Sequence, residues 1–82
     1  MTETVKIISQ EIALSTANTV SLGSTVRCFN NTAAQVMMTR ANTGGTIGTM
    51  TLAAGATEFL YKAPTDTLAC SGTIRAVSVA FT

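Results

Sequence analysis

Two cysteines, Cys28 and Cys70, and four carboxylates, Glu3, Glu11, Glu58 and Asp66, are the side chains of this 82-residue chain with a ready route to covalent or acid–base chemistry. Histidine, the commonest general base, is absent. A nucleophilic cysteine needs a base or cation beside it. Arg27 adjoins Cys28 in sequence, but neighbours on a strand point to opposite faces. Cys28 therefore reads as a packing residue. The carboxylates are widely spaced, and with one tyrosine and no tryptophan there is little material for a sugar-cleaving cleft. Asp66 reads as a local cap in the turn Pro64-Thr65-Asp66-Thr67.

Other motifs have equally plain readings. Gly44-Gly45-Thr46-Ile47-Gly48 lacks both the lysine and the strand-to-helix setting of a phosphate loop, and reads as a hairpin turn. Two cysteines without histidine match none of the familiar zinc spacings. Asn30-Asn31-Thr32 fits the glycosylation sequon, but no secretion signal accompanies it. Thr-x-Thr at Thr2–Thr4, Thr49–Thr51 and Thr65–Thr67 has no period, as an ice-binding face would require. The expectation is a non-enzymatic chain with no catalytic residue, no cofactor and no metal.

The elements that carry these residues are β-prone runs separated by turn chemistry. Val5–Leu14 alternates with a slip near Ile8-Ser9-Gln10, where a bulge or change of sheet is expected. Val20 and Leu22 lead into a turn at Gly23-Ser24. Thr25–Asn30 puts Val26 and Cys28 on one face, Arg27 and Phe29 on the other. Asn30-Asn31-Thr32 then predicts a hairpin turn into Ala34–Arg40, where Val36 and Met38 alternate with Gln35, Met37 and Thr39. Asn42-Thr43-Gly44-Gly45 is the strongest turn. Thr46–Leu52 follows, and Ala53-Ala54-Gly55 returns the chain through Thr57–Lys62. Pro64 ends that strand, so Ala63–Gly72 reads as a crossover loop pinned by Leu68. Thr73–Phe81 alternates to the end. The prediction is all-β: one compact antiparallel sandwich or small barrel-like domain of about seven strands over 1–82, with an extended N-terminal arm over 1–5.

A domain this short usually needs a supplement to its core. A Cys28–Cys70 bridge is one option and two small buried thiols the other, since nothing in the sequence brings the two together. Self-association or docking on a partner remains. Composition points the same way. Apolar residues make up 46% but charged residues only 11%, with net charge +1, against roughly 25% charged in an ordinary globular chain. Threonine, β-branched and uncharged, supplies the missing polarity at about a fifth of the chain. Such a skin costs little to desolvate. Lys6, Arg27, Arg40, Lys62 and Arg75 form no basic stripe, so no nucleic-acid partner is expected. No apolar run approaches a membrane span, and Met1–Lys6 lacks the pattern of a signal peptide, so synthesis in a cytoplasm with reduced thiols is expected.

One resemblance adds to this reading. Thr25-Val26-Arg27-Cys28-Phe29-Asn30-Asn31-Thr32 with Val36-Met37-Met38-Thr39-Arg40, then Gly45–Leu52, then Phe59-Leu60-Tyr61-Lys62-Ala63-Pro64-Thr65-Asp66-Thr67-Leu68-Ala69, resembles small virion structural proteins of tailed bacteriophages, especially those infecting marine cyanobacteria. It covers residue 20 to the C-terminus. The resemblance implies a capsid-surface decoration (cement) protein that bridges major capsid protein subunits, made in the host cytoplasm and located in the virion. Its partners would be the major capsid protein, copies of itself, or both. A tail, neck or fibre subunit is the alternative, and a host-surface or carbohydrate-binding module the third reading. Three segments are expected to make the contacts. They are the terminal Thr2, Glu3, Thr4 and Val5 by strand addition, the hairpin tip Asn42, Thr43 and Gly44, and the crossover residues Pro64, Thr65 and Asp66.

Overall fold

The computed structural model describes residues 4–81, and among them there are eight strands and no helix. They are β1 (Val5–Ile7), β2 (Ile12–Leu14), β3 (Thr25–Phe29), β4 (Val36–Asn42), β5 (Gly45–Leu52), β6 (Thr57–Tyr61), β7 (Thr67–Cys70) and β8 (Ile74–Phe81). All pairings are antiparallel. Sheet I has the order β1-β8-β3-β6, with β2 also on β8, and sheet II the order β5-β4-β7. Just after β2 the chain crosses to sheet II. The Cys70 amide donates to the Ser15 carbonyl at 2.8 Å, and Asn18 bridges Leu68 through both backbone groups.

The pairs therefore nest. β1 lies on β8, residues 15–18 on β7, β3 on β6, and β4 on β5. The chain is in effect one long hairpin with its tip at Thr43-Gly44, folded across itself into two sheets. That connectivity is a jelly roll. The tip forms where the sequence predicts it: Asn42 Oδ1 accepts the Gly44 amide at 2.8 Å, and Gly45 adopts φ 117°, a conformation that glycine takes without a Cβ penalty.

The all-β sandwich stands as expected, but the strand count is eight. The first run splits at its slip. Ile8 and Ser9 both donate to the Ser78 carbonyl, and the Ser78 amide donates to Ser9 Oγ at 3.1 Å. Two connections differ from expectation. Asn30–Thr32 is not a hairpin turn, because β3 pairs with β6 and β8 while β4 pairs with β5 and β7. Ala53–Gly55 likewise carries the chain between sheets. Local turn chemistry specifies that the chain reverses, not which strand receives it. Residues 63–72 are a turn followed by the short strand β7, whose Leu68 is buried as the expected anchor. Four residues are too few for alternation to stand out beside Pro64.

The core draws on both sheets, with Leu14, Val26, Cys28 and Ile74 facing Val36, Met38, Leu52 and Leu68. Both thiols are free; Cys28 is buried and Cys70 half-buried. Val20, Ser21 and Leu22 form a left-handed turn with φ between 51° and 57°. This conformation costs roughly 1–2 kcal/mol per non-glycine residue. It is held by the buried Val20 side chain and by the Val20 amide, which donates to Asn18 Oδ1 at 2.7 Å.

Candidate docking surfaces

The register gathers the described residues of the three expected contact segments at one end of the sandwich. Val5 lies opposite Phe81, Tyr61 closes β6 on the same row as Val79 and Ile7, and Thr67 lies opposite Ala41 beside the hairpin tip. Thr2 and Glu3 lie outside the described residues. Thr4 is exposed, but Val5 belongs to β1, so the expected arm ends before it. Asn42, Thr43, Gly44, Pro64 and Thr65 are exposed.

Asp66 is not a surface contact. It is buried, and its Oδ2 accepts Arg40 Nε at 3.0 Å, Arg40 Nη2 at 2.8 Å and the Ala63 amide at 3.2 Å. The Arg40 hydrogen bonds hold its carboxyl below the usual aspartate range. The same arginine lies 6.0 Å from the centre of the Tyr61 ring. Lys62 is also buried, its Nζ donating to the Pro64 carbonyl at 3.2 Å, and burial pushes its ammonium below the usual lysine range. This end of the molecule is thus a rigid corner, with Arg40 and Asp66 tying sheet II to the turn.

The largest feature lies on the outer face of sheet I. Counting away from the core, the register sets Val5 and Ile7 on β1, Val77, Val79 and Phe81 on β8, and Phe59 and Tyr61 on β6 along one surface. Ile7 is 74% and Tyr61 72% exposed, while Phe59 and Phe81, 5.2 Å apart between ring centres, stand 43% and 45% exposed. Val77 and Val79 are buried although they point away from the core. Phe29 shares this face and is half-buried. The aromatic rings thus lie outside the core: the core side of each strand of sheet I is taken by smaller residues, and the rings alternate outward.

The charges on this face form one cluster, two arginines sharing a single carboxylate with a net charge of +1. Glu11 accepts from Arg75 Nε at 3.1 Å and also from Arg27 Nη2. Hydrogen bonding from Arg75, reinforced by Arg27, lowers the carboxyl below the usual glutamate range despite partial desolvation. Arg27 Nε is buried with no hydrogen-bond partner among the described residues. A shallow groove runs between Val5, Ile7, Val77 and Val79, with Glu11 and Arg27 at one end. The outer face of sheet II is different in kind, an exposed or half-exposed array of Thr39, Thr49, Thr51 and Thr67.

Sequence reasoning passed over the outer face of sheet I. The available signal was Thr73–Phe81, in which both alternating sets are mostly apolar, a pattern of strands covered on both sides. Among the described residues no three His, Cys, Asp or Glu side chains cluster to hold a metal ion, and no helix is long and apolar enough to cross a membrane. Compared with known proteins, the chain matches no family model, no curated sequence and no solved structure.

Proposed function

We propose that this chain is a non-enzymatic structural subunit of a bacteriophage particle, a decoration protein that docks on the major capsid protein lattice through the outer face of sheet I. The carrying observation is that sheet I is apolar on both faces. The five exposed or half-exposed side chains Val5, Ile7, Phe59, Tyr61 and Phe81 present roughly 500 Å² of apolar surface, toward the upper end of the ~300–600 Å² of the largest patch on a typical monomer, a patch that is often functional. Both arginines within it are held by Glu11, so covering the face desolvates a bonded cluster with one excess positive charge, which an acidic group on the partner would match. The resemblance of residues 20–82 to phage virion proteins supplies the identity of the partner. Each copy would bury a modest area, and many copies would brace the shell together.

Co-sedimentation with empty phage shells tests this reading. The wild-type chain should saturate the shells at a fixed ratio to capsid subunits. Ile7→Lys, at a side chain exposed in the free protein, should lose about 2 kcal/mol of apolar burial, or roughly thirtyfold in affinity. Absence of saturable binding would refute it. The exposed aromatics favour a second reading, a carbohydrate-binding face. Tyr61→Ala would then abolish binding to polysaccharide, with shells ignored.

A further inference from the structure

We infer that the flank of the sandwich bounded by β5 and β6 is a self-association surface, where a second copy of this chain docks by antiparallel pairing of β5 with β5 across a two-fold axis. The two flanks of the sandwich differ. On one, residues 12–18 pass from β8 to β7 and join the sheets. On the other, both sheets end in free edges. Between those edges opens an apolar cleft of about 220 Å³, lined by Met38, Ile47, Met50, Leu60 and Leu68 beside Arg40.

β5 lacks the usual protection of an edge. Its eight residues, Gly45–Leu52, contain no charge and no proline, and it is hydrogen-bonded on one side only. Natural edges are normally blunted by charged residues, proline, bulges or brevity. β6, the neighbouring edge, carries Glu58 and is followed by Pro64. The one device on β5 is a bulge at Ile47, where Arg40 faces Gly48 but Ala41 faces Thr46. It leaves Gly48–Leu52 regular and unpaired on the outer side.

Those five residues are self-complementary. With the axis at Met50, Thr49 meets Thr51 of the second copy on the outer face, a favourable cross-strand pair. Gly48, with nothing within 4 Å of where a Cβ would stand, leaves room opposite the second copy's Leu52. The two Met50 side chains, each partly exposed at the mouth of its cleft, meet across the axis and close both clefts. No like charges are opposed. The body measures 33 × 31 × 22 Å, so the footprint of a flank is at most roughly 700 Å², comparable with the ~800 Å² per partner of a standard interface. Tyr61 lines the cleft and also belongs to the outer face of sheet I, but Val5, Ile7 and Phe81 stay open in this dimer, so the inference does not depend on shell docking.

Light scattering of the full chain from about 1 to 100 µM tests it, a range that spans weak to moderate dimers. The wild type should show twice the 8.5 kDa chain mass. The double variant Thr49→Lys, Thr51→Lys, at exposed positions, should show the single mass with its far-ultraviolet dichroism unchanged. Amide exchange supplies the second readout, with the amides of Gly48–Leu52 that point away from β4 protected in the wild type and unprotected in the double variant. A wild type monomeric across the range would overturn the inference. So would a dimer that the lysine pair leaves intact, or one dissociated only by Ile7→Lys.

Discussion

Asn30 makes six hydrogen bonds from a position with no solvent exposure. Its amide donates to the Ala56 carbonyl at 2.9 Å, and its carbonyl accepts the Gly55 amide at 2.8 Å. Its Nδ2 donates to the carbonyls of Ala34 and Leu52, while Oδ1 accepts the Thr32 amide and hydroxyl. Asn30 therefore clasps two of the connections by which the chain changes sheets, its side chain holding residues 32–34 and the Leu52 carbonyl and its backbone holding Gly55 and Ala56. Asn30→Ala keeps the backbone bonds and removes the four side-chain ones. Three of these reach groups that are partly solvated, and the bond to Leu52 is fully buried. At about 0.5–1.5 kcal/mol per bond, with a penalty for the orphaned Leu52 carbonyl, the loss should be about 3 kcal/mol. That is a large part of the ~4–12 kcal/mol expected for a chain of this length.

Asn30→Asp separates donor loss from cavity formation. The carboxylate keeps the shape and the acceptor oxygen but faces two carbonyls with no N–H. Near neutral pH it should cost more than Asn30→Ala, about 4 kcal/mol. Burial among acceptors raises the folded carboxyl above its unfolded value. The penalty therefore grows as pH rises through the unfolded pKa, about 4, toward the folded one, and recedes in acid. Urea unfolding of the wild type and both variants at pH 4 and pH 7 measures this. A loss under about 1 kcal/mol for Asn30→Ala, or an aspartate variant as stable at pH 7 as the alanine one, would refute the clasp.

Three further outcomes are expected. A Cβ at Gly23 would stand 2.5 Å from Ser78 Oγ and 2.8 Å from its Cβ, so Gly23→Ala should cost about 1–3 kcal/mol, and Ser78→Gly in the same chain should recover most of it in a double-mutant cycle. Burial pushes the Cys28 thiol up to about 12, with a smaller contribution from Cys70; a thiol reagent at pH 8 should therefore label Cys70 alone in the native protein and both after unfolding. Asp66, held low first by Arg40, and Glu11, held low first by Arg75, stabilise the fold above their unfolded pKa values, and this is lost as pH falls through the lower folded values. Acid unfolding should accordingly steepen below about pH 4, and Asp66→Asn should destabilise at pH 7 while flattening that acid dependence.

The contact residues were only partly legible. Asn42, Thr43 and Gly44 announce an exposed tip because Asn and Gly supply positive φ and an Asx bond within three residues, and no distant partner is needed. Asp66 misled for the opposite reason. Its local environment in Pro64–Thr67 reads as an exposed cap, and that cap bond to Ala63 is indeed present. Its burial depends on Arg40, 26 residues away, which only the pairing of β4 with β7 brings alongside.

By itself the sequence determined the all-β class, the alternating faces of Val26 and Cys28 and of Val36 and Met38, the break in alternation near Ile8 and the reversal at Thr43-Gly44. Each depends on a period of two or on the φ preference of one or two residues, and such information is local. Only the tertiary structure decided that Asn30 carries the chain to the other sheet, that residues 67–70 are a strand, and that Phe59, Tyr61 and Phe81 stand outward beside Val79. Those outcomes follow from which strands pair and in what register. A shift of one residue would exchange every inward side chain for its outward neighbour. Two mostly apolar sets alternate along β8, and nothing within that strand says which of them the core will take.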